Sequence, residues 1–317
     1  MNSNPEKLPL VLIVGPTASG KSALALALSR SLPVTIVNAD ASQVYRDLNF
    51  VSARPTPEDL RCAPHRLFGH VDGAQSYSAA AWAADARAAI AKAHASWRVP
   101  VVVGGTGLYI RTLLDGIAPV PEIDPDVRKA VRALAVEDGY AALLKEDRGA
   151  AERLSPNDTT RVARALEVVR STGRPLSAWH GKRIGGIGDQ VRLTPMVLLP
   201  PREWLFNRCD ARFEAMLASG GKDEVAALLN RGLNPDLPVM RAIGVREIAA
   251  MLADPADSAR SIAKAKPASE ETSSSSATAP AVVTTEFKKY SESRERLQAL
   301  MKFWIVGSVT TLKRLRI

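Results

Sequence analysis

Three short apolar runs rich in β-branched residues, Leu10–Val14, Val34–Asn38 and Val99–Val103, recur in the first third of the chain. They lack the strict apolar–polar alternation of a half-exposed sheet, which predicts parallel strands covered on both faces. Helical stretches lie between them, over Ser22–Arg30 and over the alanine-dense Ser78–His94. Alternation of this kind predicts a doubly wound α/β domain. Functional groups should then gather at the carboxyl ends of the strands.

Beyond Gly116 the pattern changes. Pro119, Pro121 and Pro125 mark a junction, and Val127, Val131 and Leu134 open a helical repeat. Asn157-Asp158 should cap a helix in which Val162, Leu166 and Val169 recur at helical spacing, with Arg161 and Arg164 on another face. Residues 117–190 thus read as a helical insertion, closing in a flexible loop over Gly181–Gln190. A strand is expected at Leu193–Leu199, and helices over Trp204–Asn230 and around Arg241–Leu252. The predicted organisation is a core of 1–116 and 191–266, an insertion of 117–190 and an atypical tail of 267–317. Residues 267–285 are rich in Ser, Thr, Ala and Pro and are expected to be disordered, and 286–317 regain some helical pattern.

Gly15-Pro16-Thr17-Ala18-Ser19-Gly20-Lys21-Ser22 spells G-x-x-x-x-G-K-[ST] between the first strand and the first helix, a phosphate-binding loop in its proper context. Its backbone N–H groups and the following helix N-terminus should face an anion. Lys21 adds a mobile positive charge, and Ser22 a hydroxyl for Mg²⁺. The second strand leads into Asn38-Ala39-Asp40-Ala41-Ser42-Gln43-Val44-Tyr45, and the third into Gly104-Gly105-Thr106-Gly107-Leu108-Tyr109. All three clusters should face one cleft. Asp40 there could hold a metal, cap a helix or accept a proton from a nucleophile.

Charge sharpens this picture. The net charge of +9 is absent from residues 1–159, which hold 17 basic and 17 acidic residues, and begins in 160–246, which hold 14 against 8. A basic segment beside a neutral phosphate-binding domain points to a polyanion such as nucleic acid. Two distant cysteines and the lack of a signal-like or membrane-spanning run point to a reduced, cytoplasmic protein. The four histidines form no metal-ligand set; His65 is expected to order the cleft.

Several further segments fall in series with the loop: Asp40-x-x-Gln43-x-Tyr45, Pro64-His65-Arg66-Leu67, Tyr77-Ser78-Ala79, Val103–Tyr109, Asn157-Asp158 with Arg161, Arg164-Ala165-Leu166-Glu167, Thr172-Gly173, and Met240-Arg241-Ala242-x-Gly244. In order and spacing, over roughly residues 8–265, the chain resembles the bacterial tRNA dimethylallyltransferases, also called tRNA isopentenyltransferases. The resemblance implies a P-loop NTPase-like fold with a helical insertion. It implies transfer of a dimethylallyl group from its diphosphate to N6 of adenosine 37 in tRNAs reading codons that begin with U. It implies Asp40 as base with the Thr106 hydroxyl positioning the base or the amine, and donor contacts from Gly15–Ser22 and Arg208, with Arg212 as an alternative. The tRNA contacts it implies are Asp40, Ala41, Ser42, Gln43, Thr106, Arg128, Thr160, Arg161, Val162, Ala163, Arg164, Arg241, Gly244 and Arg246. Mg²⁺ is the implied cofactor, the anticodon stem-loop the partner, and a monomer the expected state.

Departures are few but placed. Ala41 stands where the family usually has serine, and Val51-Ser52-Ala53-Arg54-Pro55 where it has Gly-Thr-Ala-Lys-Pro. The family's terminal basic helix does not follow Lys264-Ala265-Lys266. Two alternatives stay open: a small-molecule or nucleotide kinase using ATP at the same loop, and a catalytically impaired tRNA-binding relative. Prenylation of a free adenine nucleotide fits poorly with a long basic insertion.

Overall fold

The computed structural model describes residues 7–181, 183–253 and 282–283. Five parallel strands form the sheet: β1 (Leu8–Val14), β2 (Val34–Asn38), β3 (His65–Arg66), β4 (Val99–Gly104) and β5 (Val191–Leu198). They lie in the order β3-β2-β4-β1-β5, and a two-residue strand, β6 (Val282–Val283), pairs antiparallel with Val197–Leu198 at the β5 edge. β6 falls inside the stretch expected to be disordered; the rest of 267–285 and all of 286–317 lie outside the described residues. β3 was not anticipated, because two residues with no apolar run carry no periodicity. It is held by Ile36 N–H donating to Pro64 O at 2.9 Å and by Asn38 Nδ2 donating to Leu67 O at 3.0 Å.

Side-chain alternation sorts the sheet's two faces. Ile13, Ile36, Val101 and Val103 are buried on one face, against Ala25 and the half-buried Leu24 and Leu28 of α1 (Lys21–Ser29). The alternate set, Leu10, Leu12, Val37 and Val102, is buried on the other. α2 (Pro57–Cys62) precedes β3, and α3 (Ala79–Ala95) packs along β2 and β4, capped by Ser78 accepting from Ala81 N–H at 3.1 Å. Trp82 of α3 is fully buried and stacks on Tyr109 at 4.6 Å. Fully burying one such large side chain contributes about 1.5–3 kcal/mol.

The backbone divides into two compact units, Leu114–Ile187 and the residues on either side of it. α4 (Gly107–Asp115) ends where the larger unit gives way to the smaller. The smaller unit is a cluster of helices: α5 (Pro125–Arg132), α6 (Val136–Glu146), α7 (Arg148–Ala151), α8 (Thr159–Thr172) and α9 (Ser177–His180). Val131, Leu143, Ala151, Val162, Ala165 and Leu166 make its core. Asp158 caps α8 by accepting from Arg161 N–H at 3.2 Å. Within the glycine-rich loop, Ile184 and Ile117 exchange two backbone hydrogen bonds of 3.0 Å.

The expected long helix over 204–230 is two helices, α10 (Arg202–Ala218) and α11 (Gly221–Asn230). Gly220 separates them at φ +118°, a conformation that only glycine adopts without strain. The last described helix is α12 (Val245–Ala253), preceded by a 3₁₀ turn over Pro238–Arg241.

Candidate active site

The loop after β1 sits at the centre of the sheet, between the ends of β4 and β5. Gly20 adopts φ +94° as N-cap of α1, and Ala18 adopts φ +62°, an uncommon conformation for a residue with a Cβ. Ser19 is fully buried, and its Oγ has no hydrogen-bond partner among the described residues. An unsatisfied buried hydroxyl is costly, and such costs concentrate at functional loops. Lys21 folds back over the loop, its Nζ donating to Pro16 O at 2.5 Å. Burial pulls the Lys21 ammonium down to about 8; Asp40 nearby works against that, and Arg212 reinforces it. Ser22 is exposed in the first turn of α1.

Asp40 is held from several directions. Its N–H donates to Asn38 Oδ1 at 2.9 Å, and its Oδ1 accepts from Ser42 N–H at 2.9 Å. Asn38 is fully buried, and its carbonyl accepts from Trp82 Nε1 at 2.8 Å. Thr106 joins the ends of β2 and β4: its N–H donates to Ala39 O at 3.1 Å and its Oγ1 accepts from Ala41 N–H at 2.9 Å. The hydroxyl thus fixes the Asp40–Ser42 backbone, rather than reaching the carboxylate. Gly104 makes this approach possible, since a Cβ there would lie 2.2 Å from the Ala39 carbonyl.

α10 supplies the facing wall. Arg208 Nε donates to Ala18 O at 3.1 Å while its guanidinium lies over Trp204, and the Cys209 thiol donates weakly to Thr17 O at 4.0 Å. One turn on, Arg212 is half-buried and donates to Ser52 O at 3.3 Å. Burial lowers its affinity for the proton and the Asp40 charge opposes that fall. Gln43 Nε2 donates to Ser52 O and Ala53 O at 2.9 and 3.0 Å. Lys21, Asp40 and Arg212 therefore feel one another's charge, while Arg208 touches the phosphate loop itself through Ala18 O.

Sequence reasoning missed three supports. Glu224 of α11 accepts from the N–H groups of Asn49, Phe50 and Val51 at 2.7–2.9 Å, which shapes the loop carrying Ser52. Tyr77 donates to Asp85 at 2.6 Å with His70 Nε2 at 3.1 Å from its hydroxyl. The Trp82–Asn38 bond is the third. Arg231 bridges Asp47 and Asp72. His65 Nδ1 is hydrogen-bonded with Ala63 O at 2.9 Å.

The remaining candidates divide between the units. Gly244 belongs to the larger one, where a Cβ on it would lie 3.1 Å from Val51; Arg241 pairs with Asp236 at 3.3 Å and Arg246 is exposed. Arg128 and Thr160–Arg164 belong to the smaller one. There Val162 is 3% exposed and packs in the helical core, so its side chain serves packing where an RNA contact was expected. Arg161 pairs with Asp158 at 3.2 Å and Thr160 is exposed.

No helix among the described residues is long and apolar enough to cross a membrane, and no group of three or more His, Cys, Asp or Glu among them could hold a metal ion. A phosphate-binding loop with a half-buried lysine, beside a strand-end carboxylate and a second half-buried cation, defines a P-loop α/β protein with a site suited to a phosphorylated ligand. The chain belongs to the IPP transferase family, whose model matches residues 43–273, while an isopentenyl transferase model matches residues 8–70. It is 62% identical over 263 residues to a tRNA dimethylallyltransferase of Sphingopyxis alaskensis, covering 83% of this chain and 86% of that one. It is 51% identical to the tRNA dimethylallyltransferase of Zymomonas mobilis over 86% of this chain and 87% of that one. Among solved structures it resembles a eukaryotic dimethylallyltransferase acting on tRNA, with a TM-score of 0.71 at 25% identity over 82% of this chain and 66% of that one. The tRNA isopentenylpyrophosphate transferase of Bacillus halodurans aligns with a TM-score of 0.58 at 27% identity over 96% and 88%.

Proposed function

We propose that this protein transfers a dimethylallyl group from dimethylallyl diphosphate to N6 of adenosine 37 in tRNAs that read codons beginning with U. The observation that carries the reading is that Asp40 after β2, Lys21 of the phosphate loop and Arg212 of α10 lie close enough to feel one another's charge. Two cations beside the loop amides suit a departing diphosphate, and a carboxylate facing them suits an amine about to lose a proton. Family membership favours this acceptor over the kinase reading.

In the reaction the allylic C–O bond breaks with its electron pair on the bridging oxygen, and the N6 lone pair forms the new C–N bond. The N6 proton passes to Asp40, and inorganic diphosphate leaves. Asp40 Oδ1 is turned toward Ser42 N–H, which leaves Oδ2 to take that proton. Lys21, Arg212 and the loop N–H groups hold the leaving charge in a half-buried setting, where such interactions count for more than in water. The loop suits Mg²⁺ in the manner of a phosphate loop: Ser22 would supply one exposed hydroxyl, and among the described residues no acidic cluster offers a second protein anchor. When bound, the ion would neutralise charge on the diphosphate. An adenine inside an anticodon stack must be extruded to reach Asp40. Arg128, Thr160, Arg161, Arg164, Arg241 and Arg246 are the proposed RNA contacts, chiefly to phosphates.

The test is single-turnover transfer of labelled dimethylallyl diphosphate to an unmodified anticodon stem-loop. The Asp40→Asn variant is expected to lose about 10³-fold in rate while keeping its RNA affinity. Equal transfer by the variant would remove Asp40 from the role of base, and transfer of phosphate from ATP by the parent would replace the reading with a kinase.

A further inference from the structure

Ion pairs within the helical unit are mostly one to one: Arg170 with Glu146, Arg148 with Glu152, Arg161 with Asp158. Glu167 is different. Its side chain is 2% exposed, and three guanidiniums surround it, Arg132 Nε at 2.9 Å, Arg164 Nη1 at 3.6 Å and Arg128 Nε at 3.9 Å. Arg128 and Arg132 stand one turn apart on α5, and Arg164 and Glu167 one turn apart on α8. One cation would suffice to offset the buried carboxylate. Three leave a surplus of two positive charges, on side chains that are 42–64% exposed while their inner N–H groups face Glu167. Guanidiniums packed this closely repel one another unless an anion lies between them. Each keeps further N–H donors for an outside anion.

We infer that Glu167 is a positioning residue that orients Arg128, Arg132 and Arg164 as a single phosphate-gripping unit, and that Arg132 is a further contact to the tRNA backbone. The inference rests on the tRNA reading above and adds to it the device that fixes the arginine geometry. Arginines held by a buried carboxylate meet phosphates without first losing side-chain freedom, which is the physical gain.

Two variants of the full chain test it, Arg132→Gln and Glu167→Gln, each measured for anticodon stem-loop affinity, its salt dependence, donor KM and rate at saturating RNA. Arg132→Gln is expected to weaken RNA binding about five-fold and to lower the slope of log K against log salt by about one, with donor KM unchanged. Glu167→Gln keeps every arginine and raises the net charge by one, yet is expected to weaken binding about ten-fold because the guanidiniums lose their common anchor. The double variant should bind no more weakly than Glu167→Gln alone. Binding by Glu167→Gln as tight as the parent's or tighter, which bulk charge predicts, overturns the positioning role. If Glu167→Gln does not fold, Arg132→Gln decides, and an unchanged affinity and salt slope there overturn the inference. A parent protein without RNA affinity overturns the tRNA reading and this inference together.

Discussion

At the scale of single residues, burial sets how Lys21 holds its charge. An ordinary lysine stays charged to pH 10.5, but burial in the loop brings Lys21 down to about 8. Below that value it carries its charge and favours a diphosphate; as pH rises through it the charge is lost. The donor KM is therefore expected to rise above about pH 8, approaching ten-fold per unit, and a KM titration with Lys21→Ala as control would show the inflection vanish. A flat profile to pH 10 in the parent would mean that other groups hold the donor. The P-loop lysine and Asp40 were legible in sequence as types at a spacing. The third charge was less so, because Arg208 and Arg212 lie one turn apart on α10 and nothing in the string says which faces inward. Glu167 was legible only as part of a motif, since its partners Arg128 and Arg132 come from another helix.

Among the elements, the joint between the ends of β2 and β4 decides whether Asp40 is aimed. Gly104 lets the two backbones meet, and Thr106 ties them together. A Gly104→Ala variant is expected to push the strand ends apart by roughly an ångström, lowering the transfer rate at least about 10²-fold. Its stability should fall by only about 1–3 kcal/mol, so thermal melts and transfer rates read side by side would separate the two effects. Near-parental transfer would show that the carboxylate tolerates a looser frame. β1, β2, β4, α1 and α3 were readable to within a residue or two because apolar runs and a helical period are local signals. β3 and the break between α10 and α11 were not. The first is set by pairing with β2, and the second by a left-handed glycine inside an otherwise continuous helical pattern.

For the whole molecule the charge distribution makes its own prediction. If the six arginines proposed as phosphate contacts grip RNA, raising salt from 50 to 200 mM should weaken stem-loop binding roughly several hundred- to a thousand-fold. Affinity for dimethylallyl diphosphate, held by half-buried groups, should change far less. Titrations of both ligands across that range check the difference, and parallel losses would place RNA and donor on the same screened surface charges.

The sequence by itself determined the class of fold, the phosphate loop and the family, because these depend on residues close together in the chain or in a fixed order along it. Tertiary structure alone decided which side chains meet. Glu224 holds a loop about 175 residues away, Thr106 ties itself to Ala41 across two strands, and Glu167 gathers arginines from a second helix. Such pairings have no local period to betray them: they arise when packing excludes water and each buried polar group must find its partner wherever the fold has brought one.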